Sequence, residues 1–203
     1  MIASPPVSGD HGLGAFEYLL ILAAVIFGLA LSDLASSLHR LLDAGKRVRW
    51  DWLAPLAAIV AFLKIVTQWW AWFGGANLAK GLTFEMYIGE LAGAILLFLL
   101  AAAALPDKAD EPVVDLAAHY AHVTRRYWLL FAAQLTLSTA LSLWAVARIG
   151  DQRPSFAALA LGVLVLALIL AFVRNRWLHT ICLIGLSALY VLQFFGKGIG
   201  AAM

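Results

Sequence analysis

Continuous apolar runs of about twenty residues, separated by short polar links, occupy almost the whole chain. A run of this length crosses the hydrocarbon core of a bilayer as an α-helix. Of the 203 residues, 64% are hydrophobic and 13% are charged, whereas soluble domains are about 45–50% apolar and about 25% charged. We therefore predict an all-α, polytopic membrane protein that forms a single transmembrane domain over residues 1–203.

The runs predict a compact bundle of six transmembrane helices. The predicted spans are 15–39, 51–74, 82–104, 127–148, 155–174 and 177–196. A short amphipathic cytoplasmic helix over 112–126 is expected to continue into the fourth span, because its apolar residues recur at intervals of three and four. No Lys or Arg precedes the first run, so we interpret that run as a retained helix rather than a signal peptide.

Charge and cysteine content exclude several other classes of protein. The formal net charge is only +2, and the basic residues lie in short links rather than on one face, so no nucleic-acid partner is expected. The single cysteine, Cys182, lies inside an apolar run, which excludes a disulfide framework. The apolar runs are also about twice as long as the alternating strands of an outer-membrane barrel.

The distribution of basic residues predicts the orientation of the bundle. Nine Lys and Arg residues lie in the links after spans one, three and five, and four lie on the other side. Cytoplasmic links carry the excess of Lys and Arg. We therefore expect a multi-pass protein of the bacterial inner (plasma) membrane with both termini on the extracytoplasmic side.

Lys64 is the residue least expected in a membrane, since it lies near the middle of the second span. A charge there costs roughly 2.5–3.5 kcal/mol on insertion scales, so it should face the bundle and find a partner. Glu90, at a similar depth in the third span, is the expected partner. The pair either fixes the register of two helices or lines a pathway through the bundle.

Three further polar residues are candidates for the same interior. Gln68 follows Lys64 by one helical turn, and Gln134 lies in the fourth span. Asp33 lies near the cytoplasmic end of the first span and either meets Arg40 locally or lines a vestibule. Polar seams of this kind line a pore or form hydrogen bonds between helices.

The amphipathic segment carries a carboxylate and two imidazoles on one narrow face: Asp115, His119 and His122. Zinc and other divalent ions accept this ligand set. The same face can instead sense pH or simply be hydrated at the membrane interface. No other cofactor is expected.

Short motifs are spread along the first two thirds of the chain. They are Phe16-Glu17-Tyr18, Gly28-Leu29-Ala30-Leu31-Ser32-Asp33-Leu34, Gln68-Trp69-Trp70, and the series Asp115-Leu116, His119-Tyr120 and Arg125-Arg126-Tyr127-Trp128. Together they resemble a group of uncharacterised bacterial multispanning inner-membrane proteins of about 200 residues. The resemblance covers much of residues 16–135 and implies a compact helical membrane domain, without implying an activity.

The leading functional hypothesis is a channel or small transporter for ions or a small solute, lined by the polar residues of the interior. The alternative is a non-transporting membrane scaffold or sensor that acts through the cytoplasmic segment 105–126. An enzyme or haem carrier ranks last, because the sequence offers no nucleophile–base pair and no metalloprotease motif. Besides the bilayer lipids, we expect a second copy of the chain as a partner, since the fifth span is wholly apolar.

Overall fold

The computed structural model describes residues 15–73, 83–107, 113–149 and 154–194. These residues form a helical bundle whose long helices follow the apolar runs. The helices are α1 (Ala15–Ala44), α2 (Leu53–Phe73), α3 (Phe84–Ala104), α4 (Leu116–Ile149), α5 (Pro154–Phe172) and α6 (Arg176–Phe194). Four of them, α1 to α4, are long and apolar enough to cross a membrane, whereas the apolar part of α5, Leu159–Phe172, is shorter.

Local residues explain where several helices begin and end. Gly45, which follows α1, has φ 53°, a left-handed conformation that glycine adopts without steric cost at a helix C-terminus. The amide N–H of Leu53 donates to the Asp51 carboxylate at the start of α2, and the Asn175 carboxamide oxygen accepts from the first turn of α6. Both side chains satisfy N–H groups that have no partner within the helix.

Two short strands interrupt the otherwise helical chain. After a 3-10 turn at Gly45–Arg47, β1 (Val48–Arg49) pairs in parallel with β2 (Val114–Asp115). The amphipathic helix expected over 112–126 therefore begins at Leu116, since Val114 and Asp115 are extended; residues 108–112 lie outside the described part of the chain. From Leu116 the helix runs without a break into the fourth predicted span, as expected.

Small residues hold the centre of the bundle together. Along α2, Ala57, Val60 and Ala61 are buried, and the Tyr127 hydroxyl on α4 donates to the Ala57 carbonyl oxygen over 2.8 Å. A Cβ atom at Gly89 would lie 2.8 Å from a methyl carbon of Leu141, so the missing side chain lets α3 approach α4. Close approach of this kind is typical of helix pairs in membranes.

The helices are arranged around α3 and α4. Helix α3 packs against α1, α2 and α4, while α5 packs mainly against α4 and α6 mainly against α2. The side chains of α5 that point away from the bundle are apolar and exposed, among them Leu161, Val165 and Phe172. An exposed apolar face is compatible with contact to lipid.

Candidate functional site

Lys64 lies deep inside the bundle. Its position is about 16 Å along the axis of α2 from Leu53, at 1.5 Å per residue, and only 9% of the residue is exposed. The Nζ atom lies 5.9 Å from the centroid of the Tyr190 ring on α6, within the range of a cation–π contact. The sequence-based expectation that Lys64 faces the bundle therefore agrees with the structure.

A hydrogen bond between two glutamines continues the polar surface from Lys64 to α4. Gln134 Nε2 donates to Gln68 Oε1 over 3.3 Å, and Gln134 is 1% exposed. The Oε1 atom of Gln134 is buried and has no hydrogen-bond partner in the part of the chain that the structure describes. An unsatisfied buried acceptor costs about 1–3 kcal/mol, so this oxygen is a natural contact for a polar solute or water molecule.

Glu90 does not form the direct ion pair that we expected with Lys64. Its Oε2 atom accepts a hydrogen bond of 3.0 Å from the indole Nε1 of Trp72. Lys64 still acts on the Glu90 carboxylate electrostatically, but among the described residues no ion pair of 4.0 Å or less joins them. The indole of Trp72, two turns beyond Lys64 on α2, occupies this carboxylate oxygen instead. We call Lys64, Gln68, Glu90, Gln134 and Tyr190 the polar cluster.

Asp33 lies outside the polar cluster. The charged groups that act on it are Asp107 and Arg40 rather than Lys64. Arg40, one of the two environments expected for Asp33, acts on it electrostatically, although no ion pair of 4.0 Å or less joins them among the described residues; the Arg40 Nη2 atom donates to the Ser37 hydroxyl over 2.9 Å. The structure therefore brings four of the five predicted interior residues to one region: Lys64, Gln68, Glu90 and Gln134. Asp33 lies apart from them, in the half of α1 nearer Ala44.

A second buried polar site joins α4 to α6, and the sequence did not predict it. His179 Nε2 lies 2.8 Å from the Val173 carbonyl oxygen, so this nitrogen carries the proton. Its Nδ1 atom accepts from the Tyr120 hydroxyl at 2.9 Å and from Trp128 Nε1 at 3.2 Å. Every polar atom of this imidazole is satisfied, which is typical of a structural histidine.

The predicted metal ligands are not gathered into a site. Within the described residues, no group of three or more His, Cys, Asp or Glu side chains can hold a metal ion. Asp115 instead caps α4: its Oδ1 atom accepts from the amides of Ala117 and Ala118. Among the described residues, the buried His119 Nε2 atom has no hydrogen-bond partner, and His122 is exposed. The carboxylate is therefore turned toward the helix amides.

The capping role of Asp115 can be tested through the local stability of the first turn of α4. Hydrogen bonds from Ala118 and Ala117 hold its pKa below the usual value, so the carboxylate stabilises the start of α4 above the unfolded-state pKa of about 3.9 and loses this effect as the pH falls through its folded-state pKa. We expect Asp115→Ala to speed hydrogen exchange at the Ala117 and Ala118 amides at neutral pH. Asp115→Asn should retain protection, since Asn also caps helices. Unchanged exchange in Asp115→Ala would contradict the capping role.

No family model, curated protein or solved structure matches this chain. Its function is therefore inferred from its own residues. The polar cluster is the strongest candidate, because it places an ammonium group, a carboxylate and two amides inside an apolar bundle. An ionisable residue inside a membrane helix is by default a candidate for an ion or substrate pathway.

Proposed function

We propose that this chain is a six-span membrane protein that acts as a channel or small transporter, passing ions or a small solute through the polar cluster. One observation carries the proposal: Lys64 is 9% exposed in the middle of an apolar helix without an ion-pair partner within 4.0 Å among the described residues. An ammonium group that no ion pair neutralises directly is costly to keep in an apolar interior. The binding of a polar solute is a function that explains why Lys64 is retained.

The neighbouring groups support the same function. Gln134 offers an acceptor, beside the Gln68 amide, to which no described residue donates, and the half-buried Glu90 supplies a carboxylate in the first third of α3. One cationic, one anionic and two amide side chains can make the charge contacts and hydrogen bonds that a small polar solute otherwise makes with water. We also propose that both termini lie outside a bacterial inner membrane, because the basic links lie on one side.

Flux into liposomes tests the proposed function. Purified protein in liposomes should pass at least one member of a panel of labelled ions and small polar solutes, above protein-free vesicles. Glu90→Gln keeps an acceptor for Trp72 but removes the charge, so we expect flux to fall by about tenfold, which corresponds to about 1.4 kcal/mol in the barrier. The matched control is Glu85→Gln on the exposed first turn of α3. Equal flux in both variants would contradict a role for Glu90.

One observation favours the alternative, a non-transporting scaffold or sensor that acts through the segment 105–126. The start of α4 is tied to the bundle by the β1–β2 pair and by an Arg49–Asp115 ion pair of 3.6 Å, yet His122 and Arg126 are exposed and open to a partner. This hypothesis predicts that His122→Ala abolishes partner binding or a pH response while substitutions in the polar cluster have no effect. Loss of flux in polar-cluster variants decides against it.

A second copy of the chain remains the proposed partner within the membrane. The apolar outer face of α5, with Leu161 and Val165 exposed, supports either a subunit contact or a lipid contact. Chemical cross-linking of the protein in liposomes distinguishes the two.

A further inference from the structure

A basic cavity of about 610 Å³ lies at the end of the bundle where α2, α4 and α6 begin and α5 ends. Three arginines line it, Arg125, Arg174 and Arg176, together with His122 and the buried His179. No Asp or Glu side chain lines it within the described residues. The lining therefore carries a net positive charge and suits an anionic ligand.

The arginines differ in how firmly they are held. Arg176 forms an ion pair with Asp51, whose side chain is 10% exposed. The Arg125 guanidinium lies 5.2 Å above the Phe172 ring, which orients it without neutralising its charge. Arg174 forms no ion pair of 4.0 Å or less with any residue in the described ranges. Two guanidinium groups thus remain open to a ligand.

An apolar groove leads away from the cavity along α4. The groove shares His122 and Arg125 with the cavity, is also lined by Arg126, and continues past Leu129 and Leu130. Both leucines lie one turn further along α4, in the direction of the apolar span. The cavity and the groove together have one positively charged end and one apolar end, which match the charged head and the hydrocarbon tail of an amphiphile.

The aromatic residues at this end indicate the depth of the cavity. Trp52 is 54% exposed and Trp177 is 71% exposed, and exposed tryptophans collect at the level of lipid headgroups. Trp52 is fixed there by a hydrogen bond to Thr180 and by the nearby Arg176 guanidinium. The cavity therefore faces the headgroup layer.

We propose that this cavity binds the phosphate group of an anionic phospholipid, with an acyl chain lying along Leu129 and Leu130. A guanidinium group offers paired N–H donors that match two phosphate oxygens, and basic pockets between transmembrane helices hold anionic headgroups. A free phosphate ion offers the same oxygens but leaves the groove uncovered, so the lipid is the better fit. The site is independent of transport through the polar cluster.

Native mass spectrometry of the full chain in detergent tests the lipid site. Dioleoyl phosphatidylglycerol and dioleoyl phosphatidylcholine have the same acyl chains and differ in net charge. We expect wild-type protein to bind the anionic lipid about tenfold more tightly, and the double variant Arg125→Gln/Arg174→Gln to lose this preference. The matched control is Lys46→Gln/Arg47→Gln, which removes two exposed charges from the 3-10 turn at the same end and should retain the preference.

Three results would overturn the proposal. Equal binding of the two lipids to wild type excludes a headgroup site, and equal loss in both double variants indicates a non-specific charge effect. Displacement of the anionic lipid by inorganic phosphate at equal concentration shows that the acyl chain does not contribute and identifies the ligand as a soluble anion. If the double variant fails to fold, Arg174→Gln alone decides, since it leaves the Arg125–Phe172 and Arg176–Asp51 contacts intact.

Discussion

Trp128→Ala is expected to lower the free energy of unfolding by about 3–5 kcal/mol, the range for removing a large aromatic side chain from a packed interior. Trp128 is 0% exposed. Its ring packs edge-on against Tyr127 and Phe131, with centroids 5.4 and 5.6 Å away. The substitution also removes the N–H group that donates to His179 Nδ1. Reversible unfolding in mixed detergent micelles measures the change.

Trp128→Phe is the control that separates packing from hydrogen bonding. It retains an aromatic ring between Tyr127 and Phe131 but has no N–H donor, and Tyr120 still donates to His179 Nδ1. We therefore expect a smaller loss of about 1 kcal/mol, the net value of one hydrogen bond. If Trp128→Ala unfolds as readily as Trp128→Phe, the ring does not stabilise the junction of α4 and α6.

Lys64→Met is expected to reduce flux by about a hundredfold, the scale on which removal of one preorganised polar group affects a reaction. Methionine nearly preserves the volume and removes the charge. Because Lys64 forms no ion pair of 4.0 Å or less among the described residues, its replacement breaks no buried pair, and we expect the variant to be at least as stable as wild type. Loss of flux together with retained stability therefore distinguishes a functional lysine from a structural one.

Lys46→Met is the matched control for this measurement. Lys46 lies in the exposed 3-10 turn after α1, so the same chemical change occurs far from the polar cluster. Its flux should equal that of wild type. Retained flux in Lys64→Met, measured in the same vesicles, would exclude Lys64 from the pathway.

The sequence predicted the helices because an apolar run is a property of consecutive residues. Each of the six predicted spans falls on a helix, and Gln68 and Gln134, both named from the sequence, form a hydrogen bond. Strands of two residues such as β1 and β2 leave no periodic pattern. They form because the chain after α1 returns beside the start of α4, which only the folded bundle determines.

The pairing of polar side chains was less predictable. Depth along two helices suggested that Lys64 would meet Glu90, but the indole of Trp72 competes for the same carboxylate. Asp115 likewise has the right chemistry for a metal and instead satisfies the amides of Ala117 and Ala118. In both cases a neighbouring N–H donor binds the carboxylate, and the spacing of residues shows which groups are near but not which hydrogen bond forms.

The accessibility of position 64 to water tests the central claim, that a polar solute reaches the interior beside Lys64. In a Cys182→Ala background, Lys64→Cys and Phe62→Cys lie at similar depth on α2, and Phe62 is 44% exposed on the outer surface. Methanethiosulfonate reagents that cannot cross the bilayer react with the thiolate, which forms only in contact with water. We predict that Lys64→Cys is modified and that Phe62→Cys, facing lipid, is not. Equal absence of modification at both positions would contradict the proposed pathway.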